Sequence, residues 1–278
     1  WDPFVNGLST LYTAYNKNKQ SIELDLSSQE GKQVIYDMVK EADVVLENFK
    51  SGSIDRLGLG YEELKKINPK IVFVSLSGFG ATGPLKKYPC YDAIAAARGG
   101  FAGSNGEPDG APMKAGNANC DTLTGTHALN AALIGLIQAR KTGEGCRVDI
   151  GMMDTVMISC GETVVDYGKG TYTQSRFVTV TYKRSEIEKR LTEAGVPASE
   201  VLPFIEAYTS EHANSTETTT LVDQEKIGQM RFYNNPIRFN DELCPIWRGA
   251  PLLGEDSREI LAGLGYSEEK IDQLFADG

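Results

Sequence analysis

The chain has 278 residues, of which 41% are hydrophobic and 24% charged, and its formal net charge is −10. This composition is typical of a globular protein with one large domain or two smaller ones. Because the acidic residues are spread along an acidic chain, we do not expect a nucleic-acid partner, which needs a basic surface. The longest apolar run, "ALNAALIGLIQA", is shorter than the ~20 residues that span a bilayer, so no membrane segment is expected.

The cysteines and histidines limit the possible chemistry. The five cysteines are odd in number and form no CxxC motif, which is typical of reduced thiols in a cytoplasmic protein. His127 and His212 are far apart, so a zinc site is not expected. The absence of GxSxG, HExxH and Walker A motifs disfavours serine hydrolases, zinc proteases and P-loop enzymes. We therefore expect no metal.

The first part of the chain alternates between strand and helix patterns. We predict a strand at 21–26, a serine-capped helix at 27–43 and a strand at 44–49. A short helix at 61–67 then precedes the continuous apolar strand at 71–77. This alternation predicts βαβ units and an α/β fold with a parallel sheet covered on both faces.

A second helix–strand step follows a region rich in Gly and Pro. The region extends from 78 to 120 and contains a predicted helix at 91–101. A long helix is predicted from Asp121 to about Arg140, ending at Gly143 and leading into a strand at 147–150.

The regular alternation ends near residue 167. We predict a loop with a short strand at 168–183, two short helices at 185–208 and a flexible polar segment at 209–220. The last 22 residues, "SREILAGLGYSEEKIDQLFADG", predict a pair of small amphipathic helices around Gly265.

The string "GFGATG" at 78–83 matches the GxGxxG pattern of dinucleotide-binding sites. Pro84 follows the third glycine, and the next residues are a poor helix start, so no helix N-terminus is presented to a pyrophosphate. A loop at the carboxyl end of a strand is the better interpretation, and open parallel sheets bind ligands at that edge.

The segment that follows the strand at 44–49 has two interpretations. In one it is a βα connection with Ser53 as a helix cap and Arg56 in solvent. In the other, Asn48, Phe49 and Arg56 line a cleft and offer an amide, an apolar surface and a cation to a nucleotide.

Asp121 also has two interpretations. An Asp in front of "TLTGTHALNAALIGLI" is a preferred N-cap. The positive end of a helix dipole would also keep a carboxylate ionised there, and the small residues "AGNANC" before it would let a substrate approach. The local sequence leaves a cap and a reactive carboxylate both open.

Four blocks of the sequence, taken in order, resemble the family III CoA-transferases. That family includes formyl-CoA:oxalate, carnitine and bile-acid CoA-transferases, and the α-methylacyl-CoA racemases are related to it. The resemblance covers most of 10–165 and 230–276. The blocks are "NKNKQSIELDLSSQEGKQV", "ADVVLENFKSGSIDRLGLGYEELKKINPKIVFVSLSGFGATGP", "GNANCDTLTGTHALNAALIGLIQARKTGEGCRVDIGMMD" and "IWRGAPLLGEDSREILAGLGYSEEKI".

The resemblance implies a Rossmann-like parallel sheet in a large domain at 1–167. A reduced small domain would follow at 168–229, and 230–278 would return to the large domain. The family also implies an interlocked homodimer. The catalytic aspartate of the family falls on Asp121, and its CoA contacts fall on Asn48, Phe49, Arg56, Leu57 and Tyr91.

The function that this resemblance implies is transfer of CoA from an acyl-CoA to a small carboxylic acid through aspartyl anhydride and aspartyl-CoA thioester intermediates. CoA would be a substrate, and no cofactor would be permanently bound. Two alternatives remain. One is an acyl-CoA racemase, although the racemases carry His-Asp where this chain has Tyr91-Asp92. By the same resemblance, the family's first strand and helix and part of its small domain are missing, which would fit a non-catalytic CoA-binding relative.

Overall fold

The computed structural model describes residues 3–106, 110–160, 209–217, 219–234, 238–239 and 242–277. The chain divides into two compact units. One is Asp25–Val180, and the other combines Trp1–Leu24 with Thr181–Gly278. The predicted division at 1–167, 168–229 and 230–278 stays a prediction. Among the described helices, none has both the length and the apolar character that crossing a bilayer requires.

The secondary structure elements are numbered in chain order over the described residues. The helices are α1 (Thr10–Asn16), α2 (Gln29–Val39), α3 (Ser53–Arg56), α4 (Tyr61–Ile67), α5 (Asp92–Arg98), α6 (Asn119–Thr142), α7 (Met152–Ser159), α8 (Glu211–Ser215), α9 (Ser257–Gly263) and α10 (Glu268–Asp277). The strands are β1 (Phe4–Val5), β2 (Leu8–Ser9), β3 (Val44–Glu47), β4 (Val72–Ser77), β5 (Cys146–Gly151), β6 (Thr219–Gln224), β7 (Gly228–Tyr233), β8 (Arg238–Phe239) and β9 (Glu242–Leu243).

The unit Asp25–Val180 contains a parallel sheet with the strand order β3-β4-β5. Val72 on the central strand pairs with Val44 on one side and with Cys146 on the other. The sequence of β4 is a continuous apolar run, and its first three residues are fully buried, as expected of a strand covered on both faces. The predicted strands at 44–49, 71–77 and 147–150 and the parallel sheet are therefore confirmed.

Alternate residues of β4 face opposite layers because successive side chains of a strand point to opposite faces. Phe73 packs with Val39 and Leu64, which belong to α2 and α4. Val72 and Val74 pack with alanines of α6 on the other face. The small residues of α6 let the helix backbone lie close to the sheet.

The long helix does not begin where the sequence predicted. Helix α6 starts at Asn119, and Ala118 occupies the N-cap position without a side-chain cap. Asp121 is the third residue of the helix, so its prediction as the N-cap is wrong. The end was predicted correctly, because Gly143 adopts a left-handed φ of 79° and its N–H bonds to the carbonyl of Ala139.

The predicted strand at 21–26 is also wrong. Its apolar and polar residues alternate as in a strand, but its backbone bonds to the segment that precedes and opens α9. The N–H groups of Ser21 and Glu23 donate to the side chains of Asp256 and Ser257 at 2.8 and 3.2 Å. These side-chain acceptors replace the partner strand that a β ladder would need.

The second unit contains an antiparallel pair, β6 and β7, and the predicted C-terminal helix pair, α9 and α10. Gly265 lies between these two helices with a φ of 86°. The segment 209–220 was predicted to be flexible, but it contains α8 and the start of β6. The predictions for 168–183 and 185–208 lie outside the described residues.

Candidate active site

A cavity of about 550 Å³ opens where the three parallel strands end. Asn48 follows β3, Gly78 follows β4 and Met152 follows β5, and all three residues line it. This is the edge at which open parallel sheets bind their ligands. The loop 86–91 and the first turns of α6 complete the wall. The full lining is Leu46, Asn48, Phe49, Lys50, Ser51, Leu76, Ser77, Gly78, Phe79, Lys86, Lys87, Tyr88, Pro89, Cys90, Tyr91, Asp121, Thr124, Gly125 and Met152.

Four of the six predicted site residues line this cavity together. They are Asn48, Phe49, Tyr91 and Asp121. The amide of Asn48 donates to the carbonyl of Leu76 at 2.8 Å, which ties the end of β3 to the end of β4. Phe49 and Tyr91 are 45% and 69% exposed, so both offer aromatic surface to a ligand. The sequence therefore identified groups that the fold brings together.

Arg56 and Leu57 are not among the residues that line the cavity. The guanidinium group of Arg56 is exposed and donates to the hydroxyl of Ser53 at 2.8 Å. Leu57 is half-buried and packs on the cluster that contains Ile54 and Leu59. Ser53 opens α3, but the cap position belongs to Gly52, so its prediction as a cap is wrong. The assignment of Arg56 and Leu57 as CoA contacts stays a prediction.

Asp121 reaches the cavity from the first turn of α6. Among the described residues, no donor hydrogen-bonds its carboxylate. The residue keeps an exposed surface, yet protein atoms crowd its carboxyl group, and this desolvation is the largest cause of a raised pKa. The negative charge of Asp92 raises the pKa further, whereas Lys114 lowers it. Burial and the second carboxylate therefore act on this pKa in the direction opposite to the effect expected of the helix start.

Asp92 takes the capping role that was one of the two interpretations of Asp121. It begins α5 and is only 9% exposed. Its Oδ2 accepts the N–H of Cys120 at 2.8 Å and the N–H of Asp121 at 3.3 Å, so it satisfies two of the unpaired donors at the start of α6. Sequence reasoning missed this cap because it lies 29 residues from Asp121 along the chain.

Three lysines that the sequence analysis did not identify also line the cavity. Lys50, Lys86 and Lys87 are exposed, and none of them forms an ion pair within the described part of the chain. Three unpaired cations in one cavity of a chain with a net charge of −10 indicate an anionic ligand. The adjacent lysines in "PLKKYPCY" are visible in the sequence, but their charge alone does not show that the fold brings them to the cavity.

The glycine-rich loop 78–83 borders the cavity without opening a helix. A Cβ on Gly78 would overlap Cys90, so only glycine lets these two segments approach. The N–H of Ala81 donates to Asp149 at 2.7 Å and is already used. Ser77, next to the loop, has a buried hydroxyl without a hydrogen-bond partner among the described residues, which leaves unused bonding capacity at the cavity wall.

Two thiols lie close to the paired carboxylates. Burial raises the pKa of Cys120 to about 11, and Asp92 and Asp121 add to the shift. Burial and the charge of Asp121 also raise the pKa of Cys90. Because the thiolate is the nucleophilic form, Asp121 is a better candidate nucleophile at neutral pH than either cysteine.

Comparisons with known proteins identify relatives of this chain. The sequence profile of CoA-transferase family III matches residues 1–180 and 176–257. A succinate–glutarate CoA-transferase from Agrobacterium fabrum is 43% identical over 158 residues, 55% of this chain and 40% of that enzyme. A formyl-CoA:oxalate CoA-transferase from Shigella sonnei is 27% identical over 349 residues, covering 94% of this chain and 84% of that enzyme. With several curated relatives the chain spans only 34% to 40% of their length.

A solved structure shares the fold. A CAIB/BAIF family protein from Brucella suis aligns with a TM-score of 0.83 and 25% sequence identity, covering 94% of this chain and 86% of that chain. The mixed α/β architecture with a parallel sheet is thus common to both proteins.

Proposed function

The chain belongs to CoA-transferase family III, and on that premise we propose that it moves CoA from an acyl-CoA thioester to a small carboxylic acid. One observation carries this proposal. The cavity at the strand ends holds the Asp121 carboxylate in the same space as Asn48, Phe49 and Tyr91. A nucleophile, an amide and two aromatic surfaces suit an acyl-CoA whose reacting carbonyl lies near Asp121.

The reaction needs one carboxylate. An oxygen of Asp121 attacks the thioester carbonyl, the C–S bond breaks, and an aspartyl anhydride and CoA thiolate result. The thiolate then attacks the aspartyl carbonyl and releases the donor acid, which leaves an aspartyl-CoA thioester. The acceptor carboxylate attacks this thioester, and the released thiolate takes the acyl group from the second anhydride. Each step forms one bond and breaks one, and Asp121 is regenerated.

The environment of Asp121 supports this role. Its carboxylate is free of hydrogen-bond donors among the described residues, so both oxygens are available to attack. Burial and the neighbouring Asp92 raise its pKa, which makes the ionised form more basic than an ordinary aspartate.

The lysines of the cavity supply the second part of the proposal. CoA carries phosphate groups, and Lys50, Lys86 and Lys87 offer cations to them. Exposed charge pairs contribute up to ~1 kcal/mol each, so Lys86→Ala should raise the Kd for CoA by up to about fivefold. The effect should shrink at high salt. Lys66→Ala is the matched control, because Lys66 pairs with Glu63 on α4.

The decisive experiment follows CoA transfer with Asp121→Asn. Purified chain is incubated with an acyl-CoA donor and a panel of acceptors that includes oxalate, succinate and glutarate, the acids in the names of its relatives. Wild-type transfer that Asp121→Asn abolishes supports the proposal, as does a hydroxamate at Asp121 when hydroxylamine is added during turnover. Near-normal transfer by Asp121→Asn would refute the mechanism.

The same assay separates the alternatives. CoA binding in titration calorimetry without transfer to any acceptor would indicate a non-catalytic CoA-binding relative. Deuterium uptake at the α-carbon of an acyl-CoA without an acceptor would indicate a racemase. Tyr91 stands where the racemases carry histidine, so we expect no such exchange.

We also infer that the chain forms a homodimer, and its location in the cytoplasm stays a prediction. Helix α6 carries four exposed apolar side chains along one side, at Leu129, Leu133, Ile134 and Ile137, each at least 50% exposed. A stripe of this kind is typical of an interaction surface. Light scattering after chromatography should give a mass twice that of one chain. Leu133→Glu should lower the measured mass toward that of the monomer. A monomeric wild type would contradict this inference, and interlocking of the chains stays a prediction.

A further inference from the structure

Lys114 lies in the loop that leads into α6. Its ammonium group is 3.4 Å from Oδ1 of Asp92. It also donates to the carbonyls of Ala115 and Asn117 at 3.2 and 3.5 Å. One cation therefore connects the start of α5 with the loop that sets the first turn of α6.

Asp92 links Lys114 to the first turn of α6, which carries Asp121. Its Oδ1 forms an ion pair with Lys114, and its Oδ2 accepts hydrogen bonds from the N–H groups of Cys120 and Asp121. Its side chain is only 11% exposed, so its negative charge has little solvent to compensate it. A nearby cation favours the ionised form of a buried carboxylate that lies beside a second carboxylate.

We propose that Lys114 is a positioning residue for Asp121: it holds Asp92 on the first amides of α6 and neutralises Asp92, so that Asp121 can be ionised beside it. Lys114 does not line the cavity and acts through Asp92 and through its own charge. This inference rests on the proposed function of Asp121, but part of its test does not depend on turnover.

The charged and titratable groups around Asp121 set the expected signs. Asp92 from the start of α5 raises the pKa of Asp121, and Lys114 from the preceding loop lowers it. The thiols of Cys120 on α6 and Cys90 before α5 both have raised pKa values, so they stay neutral near pH 7. Lys50, Lys86 and Lys87 line the same cavity as Asp121, but among the described groups Lys114 is the cation that lowers the pKa of Asp121.

The test compares Lys114→Met with Lys114→Arg, which keeps the charge, and with Lys66→Met, an exposed lysine of α4 paired with Glu63. Lys114 is 43% exposed, so folding is not at risk, and Lys114→Gln is a second neutral variant. In Lys114→Met the acid limb of kcat/KM should move to higher pH, and kcat should fall by up to about 100-fold. Lys114→Arg should retain most of the kcat, and Lys66→Met should match wild type.

Turnover is not the only readout. Carbon-13 NMR of labelled aspartate carboxyl groups, with Asp121→Asn to assign the signal, follows the ionisation of Asp121 in an active or an inactive chain. The Asp121 signal should titrate at higher pH in Lys114→Met than in wild type. The activity loss caused by Lys114→Met should also be smaller in an Asp92→Asn background, because both changes disrupt one arrangement.

Two results would overturn the inference. One is an Asp121 titration that is the same in wild type, Lys114→Met and Lys114→Gln. The other is a kcat loss in Lys114→Arg as large as that in Lys114→Met, because the charge is retained there. If the titration moves as expected while no variant transfers CoA, the positioning role stands and the proposed function fails.

Discussion

Replacing Asp92 tests how the start of α6 is held. In Asp92→Ala the N–H groups of Cys120 and Asp121 lose an acceptor that lies at 2.8 and 3.3 Å. A lost cap costs ~1 kcal/mol, and an unsatisfied buried donor adds about 1–3 kcal/mol. The ion pair with the partly exposed Lys114 adds at most ~1 kcal/mol. We expect the free energy of unfolding to fall by about 2–5 kcal/mol.

Asp92→Asn separates the hydrogen bonds from the charge. Its amide oxygen can still accept both N–H groups, so the loss of stability should be ~1 kcal/mol or less. Removing the negative charge should also lower the pKa of Asp121, because Asp92 raises it. The acid limb of kcat/KM should then move to lower pH, opposite to the shift expected for Lys114→Met.

Urea unfolding followed by circular dichroism measures the stability part of this prediction, provided that the m-value is unchanged. Asp154→Ala is the matched control, because Asp154 is exposed in the first turn of α7 and should cost at most ~1 kcal/mol through the helix dipole. If Asp92→Ala and Asp154→Ala unfold at the same urea concentration, the remote cap does not hold α6.

Three further changes test the surroundings of the site. Asp121→Asn should raise the free energy of unfolding at pH 7 by up to ~1 kcal/mol. Because the pKa of Asp121 is raised in the folded chain, its carboxyl group costs stability as the pH rises, so the gain should vanish below pH ~3.8. Urea titrations at both pH values check this. Gly135→Ala should destabilise the chain by about 1–2 kcal/mol, since the new Cβ would lie 2.6 Å from Val72. On the same helix, the Cβ of Gly125→Ala would meet nothing within 4 Å, so this change should stabilise the chain. A lower thermal midpoint for Gly125→Ala than for Gly135→Ala would contradict both. Cys120, with a pKa of about 11, should resist iodoacetamide at pH 8 until urea is added, as peptide mass spectrometry can show; rapid labelling in the native chain would contradict the burial.

The sheet could be predicted from the sequence because its strands carry their own signal. The apolar run of β4 and the helices on either side of it have local periodicities that need no distant partner. The segment 21–26 has the same kind of periodicity, but Asp256 and Ser257 bind its backbone in place of a strand. A local pattern therefore predicts which side chains are buried better than it predicts which groups the backbone bonds.

The same limit explains the outcome for the candidate site. Asn48, Phe49 and Tyr91 follow strand ends or begin helices, and parallel strands bring such positions to one edge. Lys86 and Lys87 reach the cavity from a loop whose path depends on the close approach of Gly78 and Cys90. No periodicity in the sequence specifies that approach, so these cations could not be placed without the structure.

Asp121 could not be both the cap of α6 and a nucleophile with two free oxygens. A capping carboxylate is committed to backbone N–H groups, which lowers its pKa and its basicity. In this fold Asp92 makes those bonds, so the Asp121 carboxylate is left without a donor among the described residues and has a raised pKa. The capping role that the local sequence left open for Asp121 thus falls to Asp92, which leaves the Asp121 carboxylate available for the attack that we propose.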